Sequence, residues 1–237
     1  MKLTFAQISE MTKINIAIDG LSGCGKSSTA KAVAKSLGYK FIDTGAMYRS
    51  VTLYMLNHSV DLYSSEQVEK ALDHIQIDFR FNPESQKNET FLNEQNVEEE
   101  IRSMRVAAHV SQVAAIKAVR AAMVAQQQQM GKDRGVVMDG RDIGSVVFPD
   151  AELKLFMTAS TEVRAKRRQQ ELAEKGEQVE LSEIIKNLEG RDKIDSTRAE
   201  SPLIKVEDAI EIDTSHLMFD EQVQKVLDLA RQRIEVE

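Results

Sequence analysis

Residues 14–28 read Ile-Asn-Ile-Ala-Ile-Asp-Gly-Leu-Ser-Gly-Cys-Gly-Lys-Ser-Ser. The apolar, β-branched start, Ile14–Ile18, has the composition of a buried strand. Gly20 to Ser27 then follow the pattern G-x-x-x-x-G-K-[ST], and an alanine-rich helical stretch runs from about Ser28 to Leu37. Strand, glycine loop and helix in that order form a phosphate-binding loop: the glycines let backbone N–H groups converge on a triphosphate at a helix N-terminus. Gly20, Leu21, Ser22, Gly23, Cys24, Gly25, Lys26, Ser27 and Ser28 are the expected nucleotide contacts. Lys26 supplies a point charge, and the Ser27 hydroxyl can reach a magnesium ion. Cys24 reads as a small residue where space is tight rather than as a redox switch.

Outward from this loop, further apolar runs occur at Phe41–Ile42, Gly135–Met138, Leu153–Met157 and Ile210–Ile212, each followed by a small or acidic residue and a helical pattern. Alternation of this kind predicts an α/β fold of the P-loop NTPase type, with a parallel sheet of about five strands flanked by helices. Ligands of such sheets bind beyond the carboxyl ends of the strands. Between about Asp61 and Glu100 the period changes. His74–Phe81 alternates at period two, Asn82-Pro83 breaks it, and Thr90–Asn93 suggests a partner strand. The expected organisation is an extension over 1–12, a kinase-like core over 13–60 and 104–237, and an antiparallel β/α insert over 61–103. Within the core, Ser160 or Thr161 caps a helix to about Glu174 that Gly176 ends, and 160–176 is a candidate lid.

The chain has 237 residues, 42% hydrophobic and 29% charged, with a formal net charge of −7. This is the composition of an ordinary globular protein, and the negative charge disfavours a broad nucleic-acid surface. A single cysteine allows no intramolecular disulfide, and no apolar run is long enough to span a bilayer. A cytoplasmic monomer acting on small phosphorylated ligands, without nucleic-acid or membrane partners, is the expectation. The histidines at 58, 74, 109 and 216 show no metal-ligand spacing.

What receives the phosphate must be read from other strings. The second strand ends in Asp43-Thr-Gly-Ala-Met-Tyr-Arg49, the third in Asp139-Gly-Arg-Asp142, and a late helical stretch contains Arg191-Asp-Lys-Ile-Asp195-Ser-Thr-Arg198. Arg191, Asp195 and Arg198 are spaced to share one helix face, where two guanidinium groups flanking a carboxylate can hold phosphate oxygens and a sugar hydroxyl. A solvated ion-pair ladder would have the same spacing. Arg49 can neutralise an acceptor phosphate, with Thr44 adding a hydroxyl, and Tyr48 can either pack on a base or ribose or serve helix packing. Asp142 offers a carboxylate to a cytosine exocyclic amine, which favours cytosine over uracil.

Together with Ser111-Gln-Val-Ala-Ala, these strings resemble, in the same order, the motif set of bacterial cytidylate kinases from Ile14 onward. The resemblance implies transfer of the γ-phosphate of ATP, with magnesium, to CMP or dCMP. It also implies that Asp142 reads cytosine with help from Ser111 and Arg120, that Gly140 allows close approach, and that Arg141 faces phosphate. Closure of a lid bearing Arg164 and Arg168, with Arg167 adjoining, onto the transferring group is a further implication. Lys26, Arg141, Arg164 and Arg168 are thus the expected catalytic charges. Ser111 and Arg120 are nine residues apart, on opposite sides of a straight helix. A helix break near 116–117 is therefore predicted, where relatives often have a proline.

Leu21, Ser27-Ser28 and Ile194 depart from common family residues without changing the class. A kinase of UMP, AMP or shikimate fits less well, given Asp142 and the insert length. A GTPase lacks support because no Asn-Lys-x-Asp string occurs. A nonenzymatic nucleotide sensor needs neither the acceptor arginines nor the lid cluster.

Overall fold

The computed structural model describes residues 13–84, 87–174 and 176–234. The expected extension over 1–12 lies outside the described residues. In chain order the first elements are β1 (Asn15–Gly20), α1 (Lys26–Leu37), β2 (Lys40–Asp43), α2 (Thr44–Asn57) and α3 (Ser65–Leu72). There follow β3 (Ile77–Asn82), β4 (Lys87–Leu92), β5 (Gln95–Asn96), α4 (Met104–Ala114), α5 (Lys117–Met130) and β6 (Val136–Gly140). After a π-helical turn at Ile143–Val147 come β7 (Leu153–Thr158), α6 (Thr161–Glu174), α7 (Leu181–Thr197), β8 (Ile210–Asp213) and α8 (Phe219–Ile234).

The described residues pack as two units, one within 13–42 and 130–234 and one within 43–129. The first is built on the sheet β2-β6-β1-β7-β8. β1 pairs in parallel with β6 and with β7, and β7 pairs in parallel with β8. The parallel α/β architecture and the antiparallel insert sheet expected from the sequence are both present. β1 is buried from Ile16 to Gly20 without alternation: α1 and α8 pack against its Ile16 and Ile18 side chains, and the π-helical turn lies against Asp19. Ile16, Ile18, Val137, Leu155, Met157 and Ile212 form its core, against Ala30 and Val33 of α1 and Val226, Ala230 and Ile234 of α8. Those α8 positions recur every four residues, which sets one apolar stripe toward the sheet. Burying each large aliphatic side chain contributes roughly 1.5–3 kcal/mol, so the sheet is a rigid base for the loops at its carboxyl edge.

The second unit contains the antiparallel sheet β3-β4-β5, in which Ile77 lies opposite Leu92 and Phe79 opposite Thr90. The helix break predicted beyond Ser111 is observed. α4 ends at Ala114 and α5 starts at Lys117, with Ala115 in the cap. At the α6 ends, the Ser160 hydroxyl accepts the N–H of Val163, and Gly176, at φ 81°, returns its N–H to Ala173. Ser160 rather than Thr161 is therefore the cap.

Candidate active site

The phosphate loop leaves β1 in close contact with β7. Gly20 has φ 143°, and a Cβ there would lie 1.9 Å from the Met157 carbonyl oxygen, so only glycine fits. Leu21 N–H then donates to that same oxygen at 3.2 Å. Gly25 ends the loop at φ 92° and starts α1 at Lys26, so the helix begins two residues earlier than the sequence suggested. Lys26 is buried, and Nζ donates to the Leu21 carbonyl at 2.6 Å. Burial lowers its pKa, as does the neighbouring charge of Arg141. An anion placed between these cations relieves both effects, which is what a phosphate site requires.

Ser27 donates its hydroxyl to Asp139 Oδ2 at 2.6 Å. Asp139 stands near the carboxyl end of β6, beside β1, with Ile18 as its register partner. A serine hydroxyl and a carboxylate at the loop are hard oxygen ligands of the kind magnesium takes alongside substrate phosphates. Among the described residues, no group of three or more His, Cys, Asp or Glu side chains could hold a metal ion by itself. Asp139 is a site residue to which the sequence alone assigned no role. Its position beyond the strand next to the phosphate loop was the signal available.

Past β6, the charged groups converge. Arg141 Nε donates to Asp195 Oδ2 at 2.8 Å, and Nη1 donates to the Gly140 carbonyl at 3.3 Å. Burial alone would lower the pKa of Arg141, but Asp195 outweighs this and raises it. Arg198 lies 3.8 Å from Asp195 Oδ1 and 3.9 Å from Asp142 Oδ1. α7 stops at Thr197 and Arg198 is its C-cap, with its N–H still donating to the Ile194 carbonyl and its guanidinium beside Asp195, three residues earlier, so these two share a side of the helix end as their spacing suggested. Beyond it the chain turns at ψ 146°, and Arg198 Nε and Nη2 donate to the Ser201 carbonyl. Arg191 remains on α7, half-buried, one turn before Asp195. Asp142 is buried and precedes the π-helical turn, whose Val146 and Val147 N–H groups donate to its carbonyl.

Asp19, at the end of β1, was not singled out from sequence. Its Oδ1 accepts the N–H of Ile143 and its Oδ2 that of Gly144, both at 2.8 Å. Burial pushes its carboxyl up to about 6, against the lowering effect of those two amides.

Within the second unit, Asp43 caps α2 by accepting the Ala46 N–H at 2.8 Å and pairs with Arg49 at 3.1 Å. Arg102 approaches the same carboxylate at 3.7 Å. Thr44 is buried at the start of α2. Tyr48 is buried too, with the Arg120 guanidinium 5.3 Å from its ring centroid. That geometry gives Tyr48 a cation–π contact. Arg120 also donates from Nη1 to the Ala114 carbonyl at 3.2 Å, across the α4–α5 break. Ser111 is half-buried on α4.

The charges on α6 have different surroundings. Arg164 is buried, and its Nη1 donates to the Ser22 carbonyl at 3.0 Å and to Asp192 Oδ2 at 2.6 Å. Asp192 Oδ1 in turn accepts the Ser22 N–H at 3.3 Å. Arg167 reaches the carbonyls of Cys24, at 3.5 Å, and Thr214, at 2.7 Å. Arg168, four residues beyond Arg164, is exposed and paired with Glu171 at 3.0 Å. Arg164 and Arg167 thus meet the phosphate loop, and Arg168 points into solvent.

The sequence profile described as Cytidylate kinase matches residues 16–232. A cytidylate kinase of Flavobacterium psychrophilum is 55% identical over 222 residues, covering 92% of this chain and 98% of that one. One from Flavobacterium johnsoniae is 48% identical over 230 residues, covering 96% of this chain and 100% of its own length. Among solved structures, a shikimate kinase from Acinetobacter baumannii in complex with shikimate aligns over 94% of this chain and 96% of its own, with a TM-score of 0.47 and 15% identity. That likeness is too distant to bear on function. The profile match spans nearly the whole chain and the relatives align end to end at about half identity, so the chain belongs to the cytidylate kinase family.

Proposed function

We propose that this chain transfers the γ-phosphoryl group of ATP to CMP or dCMP, giving ADP and CDP or dCDP, in pyrimidine nucleotide metabolism. The observation that carries the reading is the pairing, at the carboxyl ends of adjacent strands, of a phosphate loop holding Lys26 with the Arg141, Asp142, Asp195 and Arg198 cluster. In the transfer, an oxygen of the CMP phosphate attacks the γ-phosphorus, the bond to the β–γ bridging oxygen breaks, and ADP leaves with that electron pair. The acceptor is already an anion, so no general base is needed, and catalysis is positioning and charge.

Lys26 and the loop amides bind the triphosphate, and Arg141 balances charge on the phosphates. Ser27 and Asp139 are the residues that fit a magnesium ion carried with ATP; when bound, it neutralises phosphate charge. Asp142 accepts from the cytosine amine, and Arg191, Asp195 and Arg198 hold phosphate and sugar. Gly140 lets the nucleotide approach closely. Thr44, Arg49, Tyr48, Ser111 and Arg120 of the second unit are assigned to CMP by the family motifs. Residues 160–176 are assigned as a lid, with Arg168, paired only along its own helix with Glu171, as its candidate mobile charge and Arg164 a support of the loop. The expectation of a cytoplasmic monomer stays part of this proposal; no described helix is long and apolar enough to cross a membrane.

The test is ADP release with ATP, magnesium and each nucleoside monophosphate in turn, with water alone as control. Turnover confined to CMP and dCMP is expected. Turnover with UMP or AMP alone would make this a sister kinase, and none at all would favour a nucleotide sensor.

A further inference from the structure

Asp142 can discriminate bases only if its carboxylate is held in place. It occupies φ −145°, ψ 25°, at the entry to a five-residue π-helical turn, Ile143–Val147. Single π-helical turns are rare and frequently occur at functional sites. Here the first two N–H groups after Asp142 are both taken by one side chain. Asp19 reaches across from β1, where its register partner is Gly140, and accepts Ile143 N–H on Oδ1 and Gly144 N–H on Oδ2 at 2.8 Å each. The turn is also closely packed: a Cβ on Gly144 would lie 3.2 Å from Lys154 Cδ and 3.5 Å from Asp19 Oδ2. The Lys154 stem is fixed by its ammonium on Asp208 at 2.7 Å. The turn is therefore held by the Asp19 carboxylate and packed on the Lys154 stem.

We infer that Asp19 is a positioning residue for base recognition: its two carboxylate oxygens hold the backbone that aims Asp142, so Asp19 sets the preference for cytosine without touching the nucleotide. Two short bonds from adjacent amides to one buried carboxylate fix both position and rotation of the peptide plane behind Asp142. An asparagine has one acceptor oxygen and must turn its NH2 toward the second amide, a donor facing a donor. The turn then shifts on one side while the sheet remains. The inference rests on Asp142 reading cytosine, as proposed above.

The experiment measures kcat and KM for CMP, UMP and ATP in wild-type protein, D19N, D142N and the double variant. For D19N, the expected result is a rise in KM for CMP and at least a tenfold fall in the CMP-over-UMP ratio of kcat/KM, with KM for ATP within twofold of wild type. In the D142N background, D19N should produce no further fall, because the two act as one unit. Full selectivity in D19N, an additive fall in the double variant, or equal losses toward ATP and CMP would overturn the inference; the last would make Asp19 a general support of the loop. A wild-type protein without CMP preference would instead remove the reading beneath it. Should D19N fail to fold, D19E is measured in its place. It keeps both oxygens but displaces them by one methylene, and the same ratio decides.

Discussion

Two arginine–carboxylate pairs in this molecule have the same 2.6 Å separation and opposite meaning. Arg164–Asp192, in the first unit, has side chains only 4% and 16% exposed. Arg80–Glu94, on the antiparallel sheet of the second, has them 43% and 68% exposed. An exposed pair gains little beyond what water already gives each ion and is weakened further by salt. A buried pair has lost its water, so each partner depends on the other. The first pair is also tied to the phosphate loop through the carbonyl and N–H of Ser22, whereas Arg80 of the second lies over the Phe91 ring of its own sheet, near Asp78. Distance alone therefore says little about worth; burial and what the pair is fastened to decide it.

The comparison can be broken from its strong end. Lys26→Ala removes the buried ammonium at the phosphate loop, and kcat should fall on the order of 10²–10³-fold, as for loss of a preorganised transition-state donor. Circular dichroism should stay native. Arg164→Ala leaves Asp192 buried without its guanidinium and should cost about 3–5 kcal/mol, read as a fall in denaturant midpoint. Arg168→Ala, on the same helix but exposed, should leave the midpoint unchanged; a loss of kcat without loss of stability would mark it as the lid charge.

A further prediction sharpens the contrast through pH. The Asp19 carboxyl lies at about 6 in the folded protein and at 3.8 ordinarily. Between those values the native state keeps a proton that the unfolded chain has released. Native stability from this group therefore falls as pH rises through that window and is flat above it. Relative to D19N, the wild-type protein should lose roughly 2–3 kcal/mol between pH 4 and 6.5. Thermal melts across that range check the sign, and a relative gain in wild-type stability would contradict it. Smallest of all, Arg80→Ala should leave the melting temperature unchanged within error.

How much was legible in the sequence follows the same division. The strands from Ile14–Ile18 to Ile210–Ile212, the glycine loop and the Ser160 and Gly176 ends of α6 are local in sequence, and the structure places them close to where the pattern does. The α4–α5 break was legible because Ser111 and Arg120 could not share a side of one helix. Arg198 lies beside Asp195 as its spacing suggested, but spacing could not say that α7 stops just before it. The turn at Arg198 is fastened by the Ser201 carbonyl and by its approach to Asp142, fifty-six positions upstream. The inward turn of Arg164 depends on Asp192, and the role of Asp19 on a π-helical turn that no periodicity announces. Groups whose partners are distant along the chain were the ones the sequence could not assign.

The central claim is that this chain phosphorylates CMP because Asp142 reads cytosine, and the ratio of kcat/KM for CMP over UMP in wild-type protein and in Asp142→Ala tests it most directly. The account predicts a strong wild-type preference for CMP that the substitution reduces by about 1–3 kcal/mol, roughly 5- to 150-fold, through loss of CMP rather than gain of UMP. An unchanged ratio in Asp142→Ala would contradict it.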